Sequence, residues 1–156
     1  MSTAKDKFDE SVTEYVTVML EGQLFGLPIA RVQDVFAPQR MTLVPLAGPE
    51  IAGLINLRGR IVTMIDLRRR LDLKAREDDR RIMAIGVEHK GESYGLLIDE
   101  IGEVVKVALG SREDNPVNLD ERLARVSAGV HRLDGRLMVV LDVERVLDIG
   151  ASARAA

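Results

Sequence analysis

Apolar residues in this chain come in short, β-branched runs separated by glycine- and charge-containing breaks. Residues 15–20 (YVTVML) and 24–29 (LFGLPI) flank a Glu21-Gly22 turn and predict a hairpin whose second arm ends near Pro28. Ile29, Val32, Val35 and Phe36 then recur at a mixed spacing that fits either a helical turn or a bent strand; both expose Asp34. Pro45 to Pro49 reads as loop, and Pro49 followed by Glu50-Ile51-Ala52, with Gly53 past its end, predicts a single helical turn that leaves Gly53 at the turn before the next hairpin. That hairpin is residues 53–67 (GLINLRGRIVTMIDL), with Arg58-Gly59 at its tip, and Asp66 is placed to cap a short helix over 67–71. Residues 74–81 (KAREDDRR) are charged and almost free of apolar side chains, which marks a boundary between two lobes. Beyond it, 82–87, 93–98 and 101–109 predict three strands, with His89 in the first connection. A loop over 110–118 and a helical turn over 119–124 follow. The strands 125–133 and 136–143 then close a hairpin through Asp134-Gly135.

The two halves repeat one pattern. Residues 53–71 (GLINLRGRIVTMIDLRRRL) lie without a gap over 129–147 (GVHRLDGRLMVVLDVERVL), 76 positions apart throughout, with identities that include Gly53/Gly129, Gly59/Gly135, Arg60/Arg136 and Asp66/Asp142. Upstream, 25–29 (FGLPI) matches 94–98 (YGLLI) at an offset of 69. One β unit therefore occurs twice. Each copy holds about five short strands in roughly 70 residues, too few for a comfortable core alone, so two packed five-stranded barrels are expected. Residues 137–143 (LMVVLDV) are apolar on both faces, as a strand between a barrel interior and a neighbouring barrel should be. The expected lobes are 15–73 and 82–147 of a single domain spanning 15–147, with 1–11 and 148–156 as flexible tails.

The repeat also singles out Arg58. Its counterpart is Asp134, and Asp-Gly suits the positive φ of a two-residue hairpin turn, whereas most L-residues lose on the order of 1–2 kcal/mol there. Arginine gains nothing from such a turn. It is either a solvated surface charge in a relaxed turn or a residue held for a partner.

Composition narrows the function classes. The 156 residues suffice to bury roughly 70% of the unfolded surface. Cysteine is absent, which excludes disulfides, thiolate metal sites and a cysteine nucleophile and fits a reducing, cytoplasmic compartment. No apolar run approaches the roughly 20 residues of a membrane span, and 1–11 lacks the pattern of a signal peptide. A formal charge of −3 with 30% charged residues gives no large field for nucleic acid or anionic lipid. The only histidines, His89 and His131, have no companion nucleophile; His131 is read as a strand-surface residue. No metal-ligand spacing, calcium loop or phosphate loop occurs, so no catalytic residues, cofactor or metal are expected. The Arg68-Arg69-Arg70 run with Lys74, Arg76, Arg80 and Arg81 offers an alternative as a small nucleic-acid-binding barrel, though acidic residues interleave it and no aromatic lies within it. An unrecognised ligand-binding or hydrolytic barrel is a third reading, requiring a concave polar pocket.

Residues 56–67 (NLRGRIVTMIDL), 25–35 (FGLPIARVQDV) and 94–101 (YGLLIDEI) together resemble the CheW family, the adaptors of bacterial chemotaxis arrays. The resemblance covers about 15–147. It implies a mostly β fold of two tandem five-stranded SH3-like barrels with short helical turns, no catalysis and no cofactor. It also implies coupling of chemoreceptor tips to the regulatory domain of the histidine kinase CheA. Other CheW-like domains in array rings are further partners, and the protein would be cytoplasmic, recruited to membrane-associated receptor arrays without inserting in the membrane or binding nucleic acid. Carried over residue by residue, Asp34 and Arg58 form an ion pair at a receptor-facing groove that Ile29, Val35, Tyr94, Gly95 and Ile101 also line. Val32, Phe36, Met41 and Leu43 approach the kinase. Gly53, Gly59, Asp134 and Gly135 serve turns.

Overall fold

Residues 12–38, 40–75 and 82–149 are described by a computed structural model of the chain. Among them ten strands form: β1 (Val12–Leu20), β2 (Gln23–Pro28), β3 (Asp34–Phe36), β4 (Ile51–Leu57), β5 (Arg60–Asp66), β6 (Met83–His89), β7 (Glu92–Ile98), β8 (Glu100–Ala108), β9 (Ser127–Leu133) and β10 (Arg136–Leu141). Three one-turn helices accompany them, α1 (Leu67–Arg70), α2 (Glu121–Ala124) and α3 (Val143–Val146), with 3-10 turns at Ile29–Arg31 and Leu109–Ser111. Asp66 caps α1 by accepting the Arg68 N–H at 3.1 Å, and its repeat mate Asp142 caps α3 through Glu144 and Arg145.

The strands make two five-stranded sheets, one ordered β8-β1-β2-β10-β9 (sheet I) and the other β3-β6-β7-β5-β4 (sheet II). Exchanging β1–β5 for β6–β10 converts one order into the other, so the repeat is a structural symmetry. The sheets do not follow the halves of the chain, however. Sheet II is built from residues 34–98, while sheet I takes the β1–β2 hairpin from one end and β8, β9 and β10 from the other. Each copy donates its first hairpin to the sheet completed by the other copy; one side of each hairpin pairs antiparallel, β1 with β8 and β6 with β3, and the other side in a short parallel pairing, Phe25 opposite Val139 and Gly95 opposite Met64.

This corrects the lobes expected at 15–73 and 82–147. The charged segment joins α1 to β6 within sheet II and is not a lobe boundary; its residues 76–81 lie outside the described part, as do 1–11 and 150–156 of the expected tails. A second correction concerns residues 50–53. No helical turn forms, because residues 51–57 pair with β5 as β4, and strand pairing overrides the local preference of Pro49-Glu50. Gly53 therefore sits inside β4 at a register shift and not in a turn. A Cβ there would come within 2.8 Å of the Thr42 carbonyl oxygen, and Gly129 meets Glu113 O at the same 2.8 Å.

Alternation along the strands divides the apolar side chains among three clusters. Val18, Leu20, Phe25 and Leu27 of sheet I face Ile65, Ile85, Leu96 and Ile98 of sheet II in a central core. On the outer side of that core, Ile55, Val62, Met64, Ala84 and Leu97 fill sheet II, while Tyr15, Met138 and Val140 fill sheet I. Met64 and Ile65 thus enter different cores, which is why the strand reads as apolar on both faces.

Candidate functional site

Asp34 opens β3 opposite Gly86, and β3 is an edge of sheet II. Its Oδ1 accepts the Val35 N–H at 2.8 Å, which leaves Oδ2 to accept Arg58 Nη1 at 3.0 Å. Arg58 leads the β4–β5 turn at φ +54, followed by Gly59 at +81. The paired turn in sheet I has Asp134 at +44 and Gly135 at +80. Asn56 Oδ1 accepts the Gly59 N–H at 2.9 Å and ties the turn down, so an arginine is held in a backbone region that favours Gly, Asn and Asp. The Asp34 side chain is 29% exposed and that of Arg58 75%. The pair stands at a concavity of about 400 Å³, lined also by Phe36, Arg60, Ser93 and Tyr94. Arg60 Nη1 reaches Ser93 Oγ at 3.4 Å, so the concavity carries two guanidinium groups from one hairpin.

The remaining residues assigned to the receptor face are dispersed. Tyr94 is buried, donating its OH to Glu92 Oε2 at 2.9 Å. Gly95 is buried so closely against Met64 that a Cβ would lie 2.6 Å from its sulfur; Tyr94 lines the concavity and Gly95 does not. Ile29 and Val35 are half exposed. Ile101 lies on β8 of sheet I opposite Val18 and packs on the central core. The structure therefore gathers Asp34, Arg58 and Tyr94 at one concavity and carries Ile101 away to the other sheet.

Of the kinase-side set, Val32 packs on the central core, Phe36 and Met41 pack on the sheet II core, and Leu43 is 78% exposed. A broader hollow of about 810 Å³ runs along β4 past Phe36, Arg40, Leu54, Arg58 and Ile61. Ile61 and Leu46 are exposed there and in the preceding loop, and the sequence reading passed over both. In β5, apolar residues occupy both faces, so no alternation distinguished Ile61 from its buried neighbour Val62.

The arginine run is engaged within the fold. Arg68 Nε donates to Asp99 Oδ1 at 2.9 Å and Nη1 to Lys74 O at 3.0 Å, and Asp99 Oδ2 also accepts the Glu21 N–H at 2.9 Å. The hydrogen bond to Asp99 raises the Arg68 pKa above the ordinary guanidinium value against the opposing effect of burial. Arg70 donates to the carbonyls of Val146 and Arg145 at 2.7 and 2.8 Å, satisfying backbone acceptors at the end of α3.

His131 is buried, not on the surface. Its Nδ1 lies 3.1 Å from Ser111 Oγ, its ring sits 5.4 Å from that of Tyr15, and Nε2 has no hydrogen-bond partner among the described residues. Burial lowers its pKa first, nearby Arg112 lowers it further, and Glu113 opposes both. His89 ends β6 and is also buried.

Two five-stranded sheets related by exchange of the copies, around a shared core and with an ion pair on an exposed hairpin, define a tandem β-barrel module. The family model for the CheW-like domain matches residues 14–150, and the chain belongs to that family. It is 30% identical over 155 residues to the chemotaxis protein CheW of Bacillus subtilis (strain 168), covering 98% of this chain and 96% of that protein. It is 24% identical over 144 residues to chemotaxis protein CheW of Helicobacter pylori, covering 92% and 87%. The chemotaxis protein CheA of Salmonella typhimurium matches at 23% identity over 147 residues, 94% of this chain but 21% of that protein. The crystal structure of the scaffolding protein TtCheW from Thermoanaerobacter tengcongensis superposes with a TM-score of 0.79 at 27% identity, covering 88% of this chain and 94% of that one. The tandem SH3-like fold is thus that of CheW proteins.

Proposed function

We propose that this chain is a non-catalytic chemotaxis adaptor that couples the cytoplasmic tips of chemoreceptors to the regulatory domain of the histidine kinase CheA. The observation that carries this reading is the Asp34–Arg58 pair: an arginine held in a left-handed turn conformation, 3.0 Å from its partner carboxylate, at a solvent-open concavity. A residue unfavourable for its own turn is retained where a charge is presented to a partner. Val35 beside it supplies exposed apolar surface for a helical tip, and Leu43 with Ile61 supplies a second surface for the kinase domain. The match of this chain to a fifth of a CheA sequence supports the second contact, because a barrel docks readily on a related barrel. The protein works in the cytoplasm at receptor arrays, where other CheW-like domains extend the same contacts. Contacts of about 800 Å² per partner are of the standard size for a specific interface, and many of them together multiply binding in an array.

Calorimetric titration into the regulatory domain of the cognate kinase tests the kinase arm. Wild type should bind with micromolar affinity, Leu43→Asp should abolish the heat, and Arg58→Glu should retain it while losing capture by receptor-bearing membranes. A folded wild type that gives no heat with the kinase domain would sink the reading.

A further inference from the structure

We infer that the β1–β2 hairpin is an exchangeable element, and that a second copy of this chain is a partner whose hairpin takes its place in sheet I. Topology sets up the exchange. The hairpin occupies the middle of sheet I, between β8 and β10, so residues 100–141 cannot close that sheet without it, yet it reaches its seat only across residues 29–33. Every contact of the seat, from Val16 opposite Val104 to Phe25 opposite Val139, forms equally well with the identical hairpin of another chain.

The two crossings between the sheets differ in a way that selects this element. At Asp99 the chain passes from β7 to β8 with a single residue between the strands, and that residue is clamped by Arg68 and by the Glu21 N–H. At residues 29–33 the crossing is a 3-10 turn, Ile29–Arg31, that buries none of its own side chains and has no side-chain cap, followed by Val32, which packs on the central core. Its fastenings among the described residues are backbone and exposed contacts: the Val32 N–H to Ile29 O at 3.1 Å, the Gln33 N–H to Gly86 O at 2.8 Å, Arg31 donating to Glu88 O at 3.0 Å and to Glu144 Oε1 at 3.5 Å, and Gln33 Nε2 donating to Glu88 Oε2 at 3.2 Å. Among the core contacts, straightening this turn disturbs only the partly buried Val32, and an opened hairpin with two unpaired strand edges is satisfied only by an equivalent seat.

The seat contains a close contact that makes the exchange testable. Gly26 lies so close to Met138 that an added Cβ would fall 2.7 Å from its sulfur. Gly26→Val crowds its own seat, and Met138→Ala hollows its own. In a mixed dimer the hairpin of the Gly26→Val chain enters the hollowed seat of the Met138→Ala chain. The hairpin of the Met138→Ala chain, which keeps Gly26, enters the seat that keeps Met138, so both seats are filled.

The two full-length variants, one isotopically heavy, are unfolded in denaturant, refolded together and sized by chromatography with light scattering. The expected product is a mixed dimer of twice 17.2 kDa, at least tenfold enriched over the dimers of either variant alone and absent when the folded chains are mixed without denaturant. A wild-type chain lacking Ala30 and Arg31, too short to make the turn, should be dimeric with the strand content retained. Monomers only from the co-refolded pair overturn the inference, whatever the shortened chain does; so does a shortened chain that is folded and monomeric.

Discussion

Arg58 Nη1 and Asp34 Oδ2 meet across 24 positions of sequence, joining the tip of one hairpin to the first residue of an edge strand. With the arginine largely in water, this pair contributes at most about 1 kcal/mol to folding. The left-handed backbone of Arg58 costs about as much. Arg58→Asn should therefore leave the melting temperature unchanged or raise it slightly, and Arg58→Glu should lower it only a little. Both should weaken receptor capture. A large drop in melting temperature for either would show that the arginine serves the fold.

Gly53 and Gly59 should respond differently to the same substitution. Gly53→Ala pushes a methyl into the Thr42 carbonyl and should cost about 1–3 kcal/mol. Gly59→Ala meets open space and should lose only about 1 kcal/mol to its positive φ. Urea midpoints at constant slope would read both.

Arg68→Ala should lower stability by about 1.5–3 kcal/mol, because Asp99 loses the charged hydrogen bonds of Arg68 and Lys74 O loses its Arg68 donor. The loss should persist in high salt, since the pair is mostly shielded from water.

His131 makes stability depend on pH in one direction. Its folded pKa is depressed, so the unfolded chain takes up a proton that the folded chain resists. The folded state should weaken as pH falls through the ordinary histidine value near 6.5 and continue to weaken down to the folded pKa. His131→Leu removes the unpartnered Nε2 and should flatten stability between pH 7 and pH 5; Ser111 keeps its bond to Ala108 O at 2.7 Å. An unchanged pH profile in this variant would assign the acid sensitivity to carboxylates elsewhere.

Hairpins were legible because their turns are local: Glu21-Gly22, Arg58-Gly59 and Asp134-Gly135 all punctuate the chain where the strands reverse. The exchange of hairpins was not. Its seams are long-range pairings, parallel for Phe25 with Val139 and Thr63 with Tyr94 and antiparallel for Val16 with Val104, which no turn residue announces, and a repeat looks the same whether its copies fold separately or trade strands. The burial of His131 was in fact signalled, since the repeat pairs it with Ile55, a core aliphatic of sheet II. At the site, the Asp34 and Arg58 positions came from motif resemblance. The distance of Ile101 from them followed from β8 joining sheet I, which only the topology reveals.

A sheet assembled from both ends of a chain also orders events at the ribosome. Residues 34–98 emerge early enough to pair among themselves, but the hairpin that precedes them must wait for residues 100–141, which follow them. During that interval β1 and β2 lack both of their outer neighbours. Translation pauses before β8 would prolong this exposure, so the nascent chain, more than the finished one, is the form that needs a chaperone.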